Sequence, residues 1–174
     1  MMIATLTALS LLAAPMARPP APEQPPALLS LTAQDCEEPA RRTKLLRTAE
    51  AGMAEVRAYG EALNAHSAAL MEWRGEQLVA AGRWTEDDKT RFATEMLSDP
   101  TFMTEVEAGM AMATDVIEPA MRAGDESRPE LERCHGLVEM HAVFARIMDS
   151  VRRQWGIVER LYAAEAQRLG VSLD

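Results

Sequence analysis

Aromatic residues make up only 5% of this 174-residue chain, with three Trp, two Tyr and three Phe. A β-sandwich draws on aromatic and β-branched strands, so that scarcity argues against one, and the abundant Ala and Met favour helices. Lysine is almost absent: Lys44 and Lys89 are the only two, and Arg supplies the rest of the positive charge. The balance is acidic, with a formal net charge of −9. Phosphate neutralisation needs a basic face, so nucleic acid and anionic lipid are poor partners for such a chain. No Cys-x-x-Cys, glycine-rich phosphate loop, Gly-x-Ser-x-Gly elbow or His-Glu-x-x-His occurs, which removes the usual signatures of redox, nucleotide, acyl-transfer and zinc chemistry. No buried acid pair stands out either, and a catalytic role has little support; no cofactor is expected.

Long apolar runs are also missing. The longest, Ile3 to Ala14, lies in an uncharged stretch of 17 residues, MMIATLTALSLLAAPMA. That length suits the core of a signal peptide and is too short for a comfortable membrane span. The start lacks the customary Lys or Arg, and Pro15 disturbs the small-residue pattern, so cleavage is placed near Ala14 or Ala17. No Cys follows closely enough for lipid anchoring. The expectation is export to the periplasm or the medium, without stable membrane insertion. Residues 18–26, RPPAPEQPP, hold five prolines in nine, which suggests an extended spacer. Residues 1–17 thus read as a signal peptide, 18–31 as a flexible linker and 32–174 as one helical domain, long enough to bury a core.

Helix punctuation divides that domain into three. Asp35 and Glu38 suggest a capping box with Pro39 in the first turn, and no breaker follows until Gly82. Thr85 with Glu86, Asp87 and Asp88 opens a second segment, which Ser98-Asp99-Pro100 should break and Pro119 should kink before Gly124. Ser127 and Glu130 suggest a third cap, and the last segment runs to Gly170. Each segment carries an apolar seam at alternating three and four spacing. The first is Leu45, Ala49, Gly52, Val56, Tyr59, Leu63, His66, Leu70, Trp73. The second is Phe92, Met96, Asp99, Met103, Val106, Met110, Ala113, Ile117, Ala120. The third is Leu137, His141, Phe144, Met148, Val151, Trp155, Val158, Tyr162, Glu165, Leu169. The fold predicted is all-α, an elongated antiparallel bundle of three long segments.

A reversal at Pro100 would give four helices instead, and the two cysteines discriminate. Cys36 starts the first segment and Cys134 starts the last. With three segments these starts share one end, and a disulfide can form; with four they lie at opposite ends, beyond the roughly 7 Å that a bond allows. Such a disulfide would close a loop of nearly 100 residues, worth up to ~4 kcal/mol.

Residues 132–141, ERCHGLVEMH, concentrate Glu, Cys, His and Met, all metal-ligand types. At ~100° per residue, Cys134, His141 and Met140 fall on the side of Leu137, while Glu132, His135 and Glu139 fall on the other. One ion cannot be shared between the two sets. A di-iron centre would need two Glu-x-x-His pairs pointing inward, and the single pair here points outward. His66 and Glu165, two polar seam residues at similar predicted heights, suggest a pair that would set register and respond to pH. Met96, Met103 and Met110 recur every seven residues, and Met148 joins them from the third seam. Heptad methionine suggests soft core packing or an adaptable apolar seam for a protein or peptide, including a second copy of the chain. The alternative is a copper site, drawing on Met110, Met112, His135 and His141. Leu31-Thr32-Ala33-Gln34 resembles, over four residues, the Leu-Thr-x-x-Gln motif of small helical periplasmic stress chaperones, with the Gln one place early and no second copy. The functional expectation is an exported, non-catalytic binding protein of the cell envelope, chaperone-like through its Met-rich seam; a metal-binding bundle is the alternative.

Overall fold

The structure, a computed structural model, describes residues 17–22 and 25–173. The predicted leader core Ile3–Ala14 and the cleavage position at Ala14 lie outside the described residues. Within them the fold is all-helical, without a strand. A 3-10 turn at Ala27–Ser30 precedes seven α-helices: α1 Gln34–Glu37, α2 Pro39–Arg47, α3 Ala49–Ala80, α4 Glu86–Met96, α5 Pro100–Thr114, α6 Ile117–Gly124 and α7 Glu130–Leu169.

The first segment is more interrupted than its sequence suggests. Pro39 does not sit inside a continuous helix; it starts a new one. Glu38, the residue before it, is extended at φ −81° and ψ 118°, because the proline ring disfavours the helical region for its predecessor. Asp35 lies inside α1 and turns back instead of forming the expected box with Glu38: its carboxylate accepts from the Thr32 backbone N–H at 2.6 Å and from the Thr32 hydroxyl at 3.2 Å, and α1 carries no side-chain cap. At Thr48 the backbone turns to φ −100° and ψ 8° before α3 begins.

Thr85 and Asp88 form the full reciprocal capping box of α4, and Asp99 caps α5 through the amides of Thr101 and Phe102, with Pro100 at the first helical position. Pro119 acts one turn upstream of itself. It has no N–H for the carbonyl of Asp115, four residues back, and its ring crowds that carbonyl; α5 accordingly stops at Thr114 and α6 starts at Ile117. The Ser127–Glu130 box does not form. Both the amide and the hydroxyl of Ser127 donate to Asp125 instead, and Pro129 precedes α7 with no side-chain cap. The last stop is as expected: Gly170 takes φ +70°, and the Val171 amide closes back on the Ala166 carbonyl at 2.9 Å.

α7 is the axis on which the other helices pack. Cys36 meets Cys134 and, farther on, Arg74 pairs with Glu159, so positions rise together along α1–α3 and α7. Against α5 and α6 the sense reverses: Glu105 meets Ser150, Asp115 meets Arg146, and Arg122 meets Glu139. α4 returns along α3, where Lys89 reaches Glu72 at 2.9 Å and also Glu76, while Glu86, one turn back on α4 itself, pairs with it at 3.0 Å. Three apolar clusters fill the interior. One surrounds the cystine with Val138, a second joins Val56 and Leu63 to Met148, and a third gathers Leu78, Trp84, Met96, Phe102, Val158 and Tyr162. Close approach of α6 to α7 depends on Gly136. A Cβ there would lie 2.8 Å from the Pro119 carbonyl oxygen and from the Ala123 nitrogen, nearer than side-chain carbons come to backbone.

The stretch read from sequence as a free linker is partly docked. Leu28 and Leu29 pack against the Val56–Leu63–Met148 cluster, and Arg18 reaches Glu159 at 3.4 Å while lying over the Trp73 ring.

Candidate functional site

The cysteines meet. Cys36 and Cys134 form a disulfide with Cα atoms 5.8 Å apart, and both are fully buried. They are therefore neither ligands nor nucleophiles. The helix wheel of ERCHGLVEMH also matches the packing: Cys134, Leu137, Met140 and His141 are buried, Glu132 and Glu139 are exposed, and His135 is half-exposed. His135 faces Glu37 at 3.6 Å, Glu132 accepts from Arg128, and Glu139 pairs with Arg122. The outward set thus divides among three separate partners.

His141 is 1% exposed. Its Nδ1 lies 2.8 Å from the Leu137 carbonyl, one turn back, which fits a neutral ring donating from Nδ1. Nε2 is buried without a hydrogen-bond partner among the described residues. Burial holds the imidazole below its ordinary value, with the Leu137 contact opposing it weakly.

The predicted His66–Glu165 pair is absent. His66 stands edge-on to Trp155 with ring centroids 4.7 Å apart, and Glu165 binds Arg168 through both oxygens. The interruptions at Glu38 and Thr48 explain the difference. An unbroken helix from Cys36 would lift His66 by roughly 45 Å, to the level of Glu165; the broken path lifts it only to Trp155, roughly 32 Å beyond Cys134 along α7.

The methionines do not share a seam. Met96 is 3% exposed in the Trp84–Tyr162 cluster, with Met103 packed beside it. Met148 is 8% exposed in the cluster with Val56 and Leu63. Met110 is the outlier at 59%. The face of α5 and α6 that meets α7 is Phe102, Glu105, Gly109 and Pro119. The Glu105 carboxylate accepts from the buried Ser150 hydroxyl at 2.7 Å and from Arg153 at 2.9 Å. Arg153 first and Ser150 second hold that carboxyl below its usual range.

A third of the predicted second seam, Met110, Ala113 and Ile117, consequently emerges into solvent. Met110, Ala113, Ile117 and Met121 follow one another at spacings of three and four, and all are exposed, Ile117 at 60% and Met121 at 70%. The break at Asp115–Val116 preserves their alignment, because both residues keep right-handed helical angles. The face is edged by ion pairs, Asp115–Arg146 at 3.4 Å and Glu118–Arg122 at 2.8 Å. At its far end Met121 borders an open cavity of about 480 Å³, lined also by Glu118, Arg122, Asp125 and Arg128. Sequence reasoning placed Ile117 in the core and passed over Met121. Their exposure follows from which face of α5 and α6 meets α7, set by the Glu105–Ser150 contact and by Gly109 and Gly136, which periodicity along the chain does not register.

Metal chemistry finds no convergence among these donors. Met110 and Met112 project from one helix ~200° apart, with Met110 exposed and Met112 half-buried. No group of three or more His, Cys, Asp or Glu side chains converges among the described residues, nor is any described helix long and apolar enough to cross a membrane. Compared with protein-family models, with curated proteins and with solved structures, the chain gives no match.

Proposed function

We propose that this protein acts by binding, as an exported, chaperone-like interaction protein whose working surface is the apolar face of α5 and α6. The observation that carries the reading is the run Met110, Ala113, Ile117, Met121, a row of solvent-facing apolar side chains that holds the three most exposed large apolar groups among the described residues, ahead of Leu97 and Leu131. Methionine adapts its shape to varied apolar partners, and the ion pairs at the edges leave a dry centre with a polar rim. The partner is an apolar segment of a protein or peptide. The reading takes α1–α3, α4–α6 and α7 as three segments running up, down and up, supported by the paired contacts along α7. Export is supported by the buried cystine, a bond typical of oxidising compartments, together with the apolar start of the chain.

The test is suppression of aggregation. A reduced, unfolded secretory protein is followed by light scattering with the wild type and with an Ile117→Lys/Met121→Lys variant. Both positions are largely exposed, so the variant should melt within about a degree or two of the wild type. The wild type should suppress scattering near stoichiometric ratios, and the variant should not. Equal scattering curves would remove this face from the function.

A further inference from the structure

A second apolar surface is already occupied, by the chain itself. Residues 25–31 cross the groove between α3 and α7, and the 3-10 turn seats Leu28 directly on Gly52. A side chain at Gly52 would collide with the Leu28 methyl group. Leu29 lies on the α7 side, beside Met148 and Arg152. The floor beneath is Val56, Leu63 and Met148.

Among the described residues the attachment of this turn is by side chains. Among the described residues, the backbone hydrogen bonds of this turn are internal, Leu29 to Pro26 and Leu31 to Leu28. None ties the strap's backbone to α3 or α7. Its outer anchor, Arg18 on Glu159, is an exposed pair. Prolines at 19, 20, 22, 25 and 26 remove backbone donors and pre-set the chain as an extended segment, so it loses little entropy on docking. The groove is not filled on its α7 side: a cavity of about 250 Å³ lies there beside Leu29, Met148 and Arg152. A larger one, of about 790 Å³, lies outside the groove, between the strap, α1 and α2.

We infer that the α3–α7 groove is a peptide-binding site for a proline-flanked pair of bulky apolar residues, filled in cis by Pro26-Ala27-Leu28-Leu29 and opened when that strap is displaced by a segment of another protein. The strap itself defines the chemistry: an extended, proline-rich approach followed by two adjacent aliphatic side chains, one for Gly52 and one for Met148. The space beside Met148 admits a larger side chain than leucine in the second seat, whereas the seat on Gly52 is close-fitting. This groove is separate from the α5–α6 face and stands whether or not that face binds anything.

The probe is a fluorescent synthetic peptide of residues 18–31, titrated by anisotropy against full-length protein. Leu28→Ala/Leu29→Ala weakens the cis strap and leaves the groove open; it should bind the peptide at least tenfold more tightly than the wild type. Gly52→Leu places a good helix former in α3 and fills the Leu28 seat; it should bind no peptide while keeping its helical circular dichroism. Equal affinity of wild type and double-alanine variant, or undiminished binding to Gly52→Leu, overturns the inference. Should the double variant fail to fold, hydrogen exchange on the wild type decides. The Leu29 and Leu31 amides should exchange at rates independent of low denaturant while α3 and α7 stay protected. Exchange that rises with the slope of global unfolding means the strap does not open separately, and the proposal fails.

Discussion

Two glycines of α7 should respond to alanine in opposite directions. Glycine inside a helix costs about 1 kcal/mol relative to alanine, so by propensity alone both Gly136→Ala and Gly156→Ala stabilise. Packing separates them. A Cβ at Gly156 would meet only the tip of Arg160, at 3.6 Å, an ordinary contact. A Cβ at Gly136 would meet the Pro119 oxygen and Ala123 nitrogen at 2.8 Å and the Arg122 Cβ at 2.9 Å. Two of those are backbone atoms of α6, which yield only if the helix moves as a unit. Overpacking of this kind costs about 1–3 kcal/mol, which cancels or exceeds the propensity gain. Gly156→Ala should therefore gain about 0.5–1 kcal/mol, and Gly136→Ala should fall about 1–3 kcal/mol below it. In a chain of this size that separates their melting temperatures by about 2–4 °C per kcal/mol. Urea denaturation followed by circular dichroism, with slopes compared, measures both. If Gly136→Ala proves as stabilising as Gly156→Ala, α6 does not lie on α7 as described, and the alignment of Ile117 and Met121 with Met110 loses its basis.

Replacing both cysteines by alanine should lower stability by about 2–4 kcal/mol, because the bond spans 98 residues and closing a loop of that length is worth ~4 kcal/mol at most once native-state strain is allowed for; an unchanged denaturation midpoint would refute the pairing. Burial keeps His141 neutral and lowers its pKa. The unfolded chain then binds more protons below the ordinary imidazole value, so stability is fully present above pH ~6.5 and declines as pH falls below it. Melting temperatures measured between pH 7.5 and 5 should show this decline, and His141→Leu should flatten it; an equally steep variant would refute the assignment. Tyr162 is 1% exposed, and burial, aided by Glu72, pushes its phenol up to about 12. Ultraviolet titration should find one tyrosine ionising near there, with stability lost as pH rises above about 10, the unfolded value; complete ionisation by pH 11 in the folded protein would contradict its burial.

The legible part of the fold was punctuation and local periodicity. Thr85 with Asp88, Asp99 before Pro100, and the left-handed glycines at 82 and 170 act within a turn of themselves, and such local chemistry can be read along the chain. The first and third seams were legible too, since every residue named in them is at least partly buried. Less legible were effects at a distance. Pro39 and Thr48 interrupt the first segment, so the height of His66 was misjudged and its partner is Trp155 instead of Glu165. Ser127 turned to Asp125 because two short polar side chains compete for the same turn.

The sequence by itself determined an all-helical chain, the main stops and starts of its helices, the division of ERCHGLVEMH into inward and outward sets, and the acidic balance. These depend on composition, on a period of 3.6 residues and on charge, all counted from neighbours in the chain. Tertiary structure alone decided which apolar residues remain uncovered. Met96, Met103 and Met110 share a heptad position, yet Met96 is buried, Met103 half-buried and Met110 exposed. Met103 and Met110 ride α5 at the same phase, so what separates them is what lies opposite: Met103 reaches the Trp84–Tyr162 cluster, whereas around Met110 the Ser150–Glu105 bond and Gly109 turn another face of α5 to α7. Burial is a property of what lies opposite, and the residues opposite α5 come from some 45 positions farther along the chain.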